Sequence, residues 1–341
     1  MPTTPSPTIK PLRRRAICAT AAALAFGMAT ALTASAAWAQ TQKYPERPIR
    51  LLVGYSAGGG VDAAARLLGA RLSTALGQQV VIENRTGATG LIAADLVSKA
   101  PPDGYTLMMG DSALLIAKLL QPKIALDPLT SFKPVAGAFV SPLMIVTGND
   151  FPARTPKDFV AELKAHPGRY SFATSGVGTV QHLGFEMLKQ RTGTFVLHVP
   201  YRGAAQIVPD VVGGQVPIGV VSATAGMAQA KAGKLRAVAL MNMARLEGAE
   251  SVAPLSDALP GFDVAPRLFV LAPAGTPDEI VDRLSAAVKS VLDTPEAASA
   301  AAAQGMLRAY TGPAQLRSAL DDETARWKGI IADQRIVAEG N

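Results

Sequence analysis

The stretch GYSAGGGVDA, residues 54–63, follows a short apolar run and opens a helical pattern. It fits three functional templates. Residues 54–58 match the G-x-S-x-G turn that presents the nucleophilic serine of α/β-hydrolases. Residues 58–63 match the G-x-G-x-x-A of a dinucleotide site. A glycine-rich turn before a helix can also hold an anion on its backbone N–H groups, so the rest of the chain has to discriminate among three interpretations.

Strands and helices alternate on the C-terminal side of this turn. Apolar runs predict strands over 48–53, 79–82 and 105–109, and the spacing of apolar residues predicts a helix over 62–76. A second helical pattern follows the second strand. This β-α-β-α-β order predicts an α/β fold with a parallel sheet covered by helices.

A second series of elements begins near residue 142. Further strands are predicted over 143–146, 170–173, 195–199, 217–221, 235–240 and 268–271. The segments RTPKDFVAEL, residues 154–163, and GTPDEIVDRL, residues 275–284, share a helix start. Thr155 is the expected cap of the first helix, and Thr276 is expected to form a capping box with Glu279 in the second. The similarity predicts two halves joined by crossing segments.

The first 39 residues have the pattern of an export signal. Basic residues at 10 and 13–15 precede an uncharged, alanine-rich run over 16–34, and an A-x-A site ends at Ala39. We therefore predict a signal peptide that is cleaved after Ala39. An uncleaved membrane anchor is the alternative interpretation of this segment.

Composition argues against several classes of protein. Without the four basic residues of the predicted signal, 29 basic and 26 acidic residues lower the net charge from +7 to +3, which gives no case for nucleic-acid binding. The single cysteine, Cys18, lies in that signal, so the mature chain has neither disulfides nor thiol chemistry. The histidines have no metal-ligand spacing, and we predict no metal or cofactor; they are His166, His182 and His198.

Neither enzyme interpretation fits the whole chain. In α/β-hydrolases the serine turn lies well into the sheet and the catalytic histidine comes last in chain order, but Ser56 would lie on the first strand and no histidine follows His198. A dinucleotide site would place Glu83 well, at the end of the second strand. However, Gly58 lies several residues beyond its strand, and export takes the protein where nicotinamide cofactors are scarce. An exported serine hydrolase using Ser56 and a dinucleotide-dependent oxidoreductase are kept as alternatives.

A second glycine-rich turn favours the anion interpretation. Residues 175–179, SGVGT, also lead into a predicted helix, in the other half of the chain. Two helix N-termini that face each other across a cleft would hold a carboxylate with N–H groups and hydroxyls. The alternative is that these glycines only shape tight turns.

Seven segments, taken in order, resemble one known family, the periplasmic solute receptors of tripartite tricarboxylate transporters, also called Bug receptors. The resemblance runs from Tyr44 to about Ile336. The segments are YPERPIRLLVGYSAGGGVDAAARLL (44–68), LGQQVVIENRTGATGLIAADLV (76–97), PPDGYTLMMG (101–110), HVPYRGAAQIVPDVVGGQV (198–216), AGKLRAVAL (232–240), LPGF (259–262) and LAPAGTP (271–277).

The resemblance implies a periplasmic binding protein fold of type II with two domains and a ligand cleft between them. We expect domain I over 40–146 and 266–341, and domain II over 147–265. The resemblance further implies a monomeric, non-catalytic receptor that closes on a small organic carboxylate and delivers it to the membrane subunits of a tripartite tricarboxylate-type transporter. A ligand sensor acting on a two-component system is a further alternative.

The resemblance also assigns ligand-binding residues. In the first domain they are Tyr55, Ser56, Ala57, Gly58, Gly59, Asp62, Asp111 and Ser112. In the second domain they are Ser175, Gly176, Gly178, Thr179, His182, Tyr201, Arg202, Gly203, Ala204 and Ser222. Arg202 stands where the family usually has lysine and could hold a carboxylate with two hydrogen bonds. Asp111 stands where a neutral hydroxyl residue is common; its carboxylate would repel a dianion or accept an amino group.

Overall fold

The computed structural model describes residues 1–3, 44–201, 206–243, 246 and 248–337. The predicted cleavage site after Ala39 lies outside these residues, as does most of the predicted signal peptide. Among the described residues, no helix is long and apolar enough to cross a membrane.

Six strands form the first sheet, in the order β11-β4-β10-β3-β1-β2. The strands are β1 (Ile49–Val53), β2 (Val80–Asn84), β3 (Thr106–Asp111), β4 (Phe132–Val140), β10 (Arg267–Pro273) and β11 (Leu307–Thr311). The helices on this sheet are α1 (Gly60–Leu76), α2 (Leu91–Ser98), α3 (Ser112–Leu120), α8 (Asp278–Leu292), α9 (Pro295–Ala303) and α10 (Pro313–Asp333). We call this sheet and its helices lobe 1.

Five strands form the second sheet, in the order β7-β6-β8-β5-β9. The strands are β5 (Leu143–Thr147), β6 (Ser171–Thr174), β7 (Leu197–Pro200), β8 (Ile218–Ser222) and β9 (Arg236–Leu240). Its helices are α4 (Pro156–Ala165), α5 (Val180–Thr192), α6 (Ile207–Val212) and α7 (Ala223–Lys231). We call this sheet and its helices lobe 2.

The prediction of a parallel sheet is correct for only part of lobe 1. Strand β1 pairs in parallel with β2 and β3, as the β-α-β-α-β order indicated. The other half of the sheet is antiparallel, because β10 runs against both β3 and β4. Strands β4 and β11 were not predicted. The strand over 143–146, which we expected at the end of domain I, pairs in the second sheet, so the chain crosses to lobe 2 between β4 and β5.

Local sequence explains where most helices begin and end. Helix α1 buries one apolar face and ends at Gly77, which adopts the left-handed conformation at φ 68°. Thr155 caps α4 as predicted, accepting a hydrogen bond from the Asp158 N–H. The predicted capping box of Thr276 is wrong. Its hydroxyl instead donates to the Pro273 carbonyl at 2.8 Å, and α8 begins two residues later with no side-chain cap.

Helix α10 contributes to the cores of both lobes. Leu316 and Leu320, in its first half, pack in the apolar core of lobe 1. Trp327 and Ile330, in its second half, belong to the core of lobe 2 together with the phenylalanines of β6 and α5. A single helix therefore joins the two lobes, in addition to the two segments of chain that cross between the sheets.

Candidate functional site

A cavity of about 700 Å³ is lined by residues that follow strands of both sheets. Four helices begin at its wall. The residues at or next to these helix starts that line the cavity are Gly60 of α1, Ala113 of α3, Val180 of α5 and Ser222 at the start of α7. The first N–H groups of a helix have no partner within the helix and carry partial positive charge. The cavity is therefore surrounded by groups that attract an anion.

The loop between β1 and α1 is fixed from behind by Asp62. This carboxylate is 1% exposed and accepts hydrogen bonds from the Gly58 N–H at 2.8 Å, the Arg66 Nε at 2.9 Å and the Asn84 Nδ2 at 2.8 Å. The bond from Arg66 is the main reason that the pKa of Asp62 falls to about 2. Asn84 also donates to the Tyr55 carbonyl at 2.9 Å. Asp62 thus shapes this loop and does not line the cavity.

The same loop makes a close backbone approach to residues 87–90. A Cβ on Gly54 would lie 2.4 Å from the Gly90 Cα, so no side chain fits there. Thr89, which lines the cavity, has a left-handed backbone at φ 53°. Non-glycine residues seldom adopt this conformation, and it persists only where the surroundings hold it. The two segments therefore form one wall of the cavity.

The loop between β6 and α5 forms part of the wall from lobe 2. Thr179 caps α5, because its hydroxyl accepts from the His182 N–H at 3.2 Å and donates to the Gly176 carbonyl at 2.9 Å. The Gln181 side-chain oxygen accepts from the Ser175 N–H at 3.0 Å and from the Ser175 hydroxyl. These bonds hold the hydroxyl residues of the loop beside the cavity.

His182 lies behind this loop and not at the cavity. Its Nδ1 accepts from the Gly178 N–H at 3.2 Å, which requires Nδ1 to be unprotonated. The ring stacks on His198 with centroids 3.8 Å apart. Burial lowers the pKa of His182 to about 3 and that of His198 to about 4, so both rings are neutral near pH 7. His182 therefore supports the backbone of the loop.

Asp111 projects into the cavity at the end of β3. The Tyr55 hydroxyl donates to its carboxylate, with the Tyr55 oxygen 3.0 Å from Oδ1 and 3.1 Å from Oδ2. Burial raises the pKa of Asp111 to about 7, partly offset by this hydrogen bond, and the charge of Glu323 raises it further. Burial also raises the pKa of Tyr55, so the phenol stays protonated and remains the donor.

The structure brings seven of the predicted residues to the cavity wall: Tyr55, Gly58, Gly59, Asp111, Ser175, Thr179 and Ser222. Eight others do not line it: Ser56, Ala57, Asp62, Ser112, Gly176, Gly178, His182 and Tyr201. Arg202, Gly203 and Ala204 lie outside the described residues. Ser112 is turned away because its hydroxyl accepts from the Arg267 N–H at 2.9 Å. The Tyr201 hydroxyl donates to Asp210 at 2.6 Å, which raises the pKa of Tyr201 to about 12.

Several lining residues were missed by the sequence analysis. Ser141 and Pro266 lie on the two crossing segments, where the Ser141 N–H donates to the Pro266 carbonyl at 2.9 Å. Only the order of strands in the two sheets places these segments together. Gln181 could have been identified from its position, because it lies one residue after the start of the helix that follows the glycine-rich turn. Gln304 and Met306 follow α9, a helix that the sequence analysis did not predict.

Comparison with protein-family models identifies the chain. The model described as "Tripartite tricarboxylate transporter family receptor" matches residues 64–336. The chain belongs to this receptor family. Receptors of this family are periplasmic binding proteins and not enzymes, so neither the hydrolase nor the dinucleotide interpretation of residues 54–63 holds.

Individual relatives cover nearly the whole receptor. Protein BugT of Bordetella pertussis is 33% identical over 310 residues, which is 90% of this chain and 95% of BugT. The solved structure of Rpa4515 from Rhodopseudomonas palustris with adipate is 30% identical, covers 86% of this chain and 99% of that chain, and has a TM-score of 0.75. MatC from Rhodopseudomonas palustris with bound malate is 30% identical, covers 84% of this chain and 100% of that chain, and has a TM-score of 0.69.

Proposed function

We propose that this receptor captures a small organic carboxylate in the cavity between its lobes and delivers it to the membrane subunits of a tripartite tricarboxylate-type transporter. The observation that carries the proposal is the convergence of four helix N-termini on one cavity. Among the lining residues that the structure describes, there is no lysine or arginine. Backbone N–H groups and the Ser222 hydroxyl, whose oxygen accepts from the Ala225 N–H, would therefore supply the donors to the anion.

The relatives support the chemical class of the ligand. Rpa4515 was solved with adipate and MatC with malate, and both ligands are small carboxylates. A carboxylate that leaves water must recover its hydrogen bonds from the protein. A wall that is already held by Asp62, Asn84 and Gln181 supplies its donors in fixed positions, which reduces the entropy lost on binding.

Binding would be coupled to closure of the lobes around the ligand. The two crossing segments meet at the cavity wall, at Ser141 and Pro266, so rotation there changes the width of the cavity. We further propose that the protein is exported, is cleaved after Ala39 and acts in the periplasm as a monomer.

A thermal-shift screen tests this function. The mature protein, residues 40–341, is refolded to remove bound ligand and is then heated with a panel of organic acids or with NAD(P). A ligand that binds only the folded state raises the Tm in proportion to the logarithm of its concentration. We expect a rise with one class of carboxylate and none with NAD(P). A rise in Tm with NAD(P) alone, or no rise with any carboxylate, would contradict the proposal.

A transport measurement tests the role of the partner subunits and distinguishes a receptor from a sensor. Uptake of the radiolabelled acid is measured in cells that carry the membrane subunits of a tripartite tricarboxylate-type transporter from the same organism, with and without the receptor. We expect uptake only when the receptor is present. Binding without any receptor-dependent uptake would favour a ligand sensor acting on a two-component system.

A further inference from the structure

Asp111 introduces a negative charge into a cavity that is otherwise built for an anion. It is the only charged side chain among the lining residues that the structure describes. It is the last residue of β3 and the N-cap residue of α3. A ligand with carboxylates at both ends would bring one of them toward this side chain. Like charges at short range repel each other more strongly in a partly dehydrated site than in water.

No cation faces Asp111, although the backbone N–H groups of Ala113 and of Asp111 itself, at the start of α3, lower the pKa of its carboxylate. The Tyr55 hydroxyl is a neutral donor, 3.0 Å and 3.1 Å from the two carboxylate oxygens. Glu323 on α10 adds a second negative charge behind Asp111. The cation on the neighbouring strand, Arg267, has its Nε 3.4 Å from the Glu323 carboxylate. Within the described part of the chain, no ion pair to Asp111 is formed.

We propose that Asp111 selects a ligand that carries a protonated amine as well as a carboxylate. This inference rests on the proposed function, because it assigns the second end of the ligand held in the same cavity. The helix N-termini would bind the carboxylate, and the Asp111 carboxylate would accept a hydrogen bond from the ammonium group. The ligand would thus supply the cation that Asp111 lacks in the protein. Tyr55 acts as a positioning residue that fixes the carboxylate.

Matched pairs of ligands test this selection at pH 8, where Asp111 is ionised. In each pair the linker between the two ends is the same, and an ammonium replaces one carboxylate. The pairs are 5-aminopentanoate with adipate, and β-alanine with succinate. L-Leucine with 4-methylpentanoate extends the test to α-amino acids. Dissociation constants are measured by titration calorimetry for the wild type and for Asp111→Asn.

We expect the wild type to bind the amine member of at least one pair at least tenfold more tightly. Asp111→Asn should reduce this preference by tenfold or more while still binding the acid member. Asp282→Asn, which removes the same charge from an exposed position on α8, is the matched control and should leave the preference unchanged.

Two outcomes separate this inference from the proposed function. Tight binding of adipate or succinate with no preference for the amine, or a preference that Asp111→Asn retains, would overturn the role of Asp111 and leave the carboxylate receptor intact. If no carboxylate or amino acid in the series binds, both proposals fail.

Discussion

Asp62 and Asp111 lie at the starts of helices that follow two neighbouring strands, and their surroundings give them opposite properties. Asp62 is held by Arg66, Gly58 and Asn84, and these donors lower its pKa to about 2. Asp111 has only neutral donors, the Tyr55 hydroxyl and the backbone N–H groups of residues 111 and 113, and burial raises its pKa to about 7. The sequence analysis placed both aspartates at the site. Gly58 and Arg66 lie within four residues of Asp62, but Asn84 is 22 residues from Asp62 and Tyr55 is 56 residues from Asp111, so local sequence alone could not separate the two roles.

Replacement of Asp62 tests its role in holding the loop between β1 and α1. Asp62→Ala should lower the free energy of unfolding by about 2–3 kcal/mol at pH 7, because three donors lose a charged acceptor. Since the folded pKa is depressed, this stabilisation is present above pH 4 and is lost as the pH falls toward 2. Urea unfolding at pH 7 measures the difference.

Asp95→Ala is the control for that measurement. Asp95 pairs with Lys99 on the exposed face of α2, with side chains 51% and 73% exposed. Such surface pairs contribute little, so we expect a change of less than about 0.5 kcal/mol. Equal effects of the two substitutions would contradict the special role of Asp62.

The raised pKa of Asp111 predicts a pH-dependent effect on stability. The folded protein holds this proton more tightly than the unfolded chain, so ionisation of Asp111 destabilises the fold as the pH rises from 4 to 7. Asp111→Asn should therefore raise the Tm at pH 8 by about 2 °C or more, and by less at pH 5. Tyr55 and Glu323 are the groups that face Asp111 and are unchanged in the variant. An equal change in Tm at both values of pH would contradict this assignment.

At the scale of elements, most strands and helix starts follow from apolar patterns and caps, but some do not. Strand β4 was missed because its sequence, FKPVAGAFV, contains a proline and a glycine, residues that usually interrupt strands. The structure explains Gly137, since a Cβ there would lie 2.3 Å from the Thr311 hydroxyl on β11. Strand β4 therefore forms because it packs closely against a strand that is distant in sequence, and not because of its local strand propensity.

The contact between the first loop and residues 87–90 gives a prediction for Gly54. Gly54→Ala should lower the free energy of unfolding by about 1–3 kcal/mol, because the added methyl group would overlap the Gly90 backbone. It should also weaken ligand binding, since the displaced segment includes the cavity-lining Thr89. Denaturant unfolding and calorimetry measure the two effects.

Gly60→Ala, at the end of the same loop where α1 begins, is the matched control. Gly60 lies at the first position of α1, and a Cβ there would meet nothing within 4 Å. Alanine restricts the unfolded chain and should keep or slightly increase stability. If Gly54→Ala proved as stable as Gly60→Ala, the close approach of the two segments would be incorrect.

At the scale of the whole molecule, helix α10 predicts that the lobes unfold together. Its Leu320 lies in the core of lobe 1, and its Trp327 lies in the core of lobe 2. After removal of the predicted signal, Trp327 is the only tryptophan, so its fluorescence reports on lobe 2, whereas far-UV circular dichroism reports on both lobes. We expect the two urea transitions to coincide. A separate, earlier fluorescence transition would show that the lobes are independent.

The two-lobed architecture could be predicted from the sequence, since the two glycine-rich turns and the family resemblance indicated it together. The sequence could not supply the pairing of β5 in the second sheet or the extension of α10 into both cores, because these depend on contacts between residues far apart in the chain. For the same reason, the residues of the crossing segments at the cavity were not predicted.

The central claim is that a carboxylate binds in the cavity between the lobes. Titration calorimetry of two variants of α1 tests it most directly, with the carboxylate that stabilises the refolded protein best. Ala63 lines the cavity, whereas Ala70 is exposed on the same helix. We predict that Ala63→Phe weakens binding at least tenfold while Ala70→Phe binds like the wild type with one ligand per chain. Wild-type affinity in Ala63→Phe, in a protein that is folded, would contradict the account.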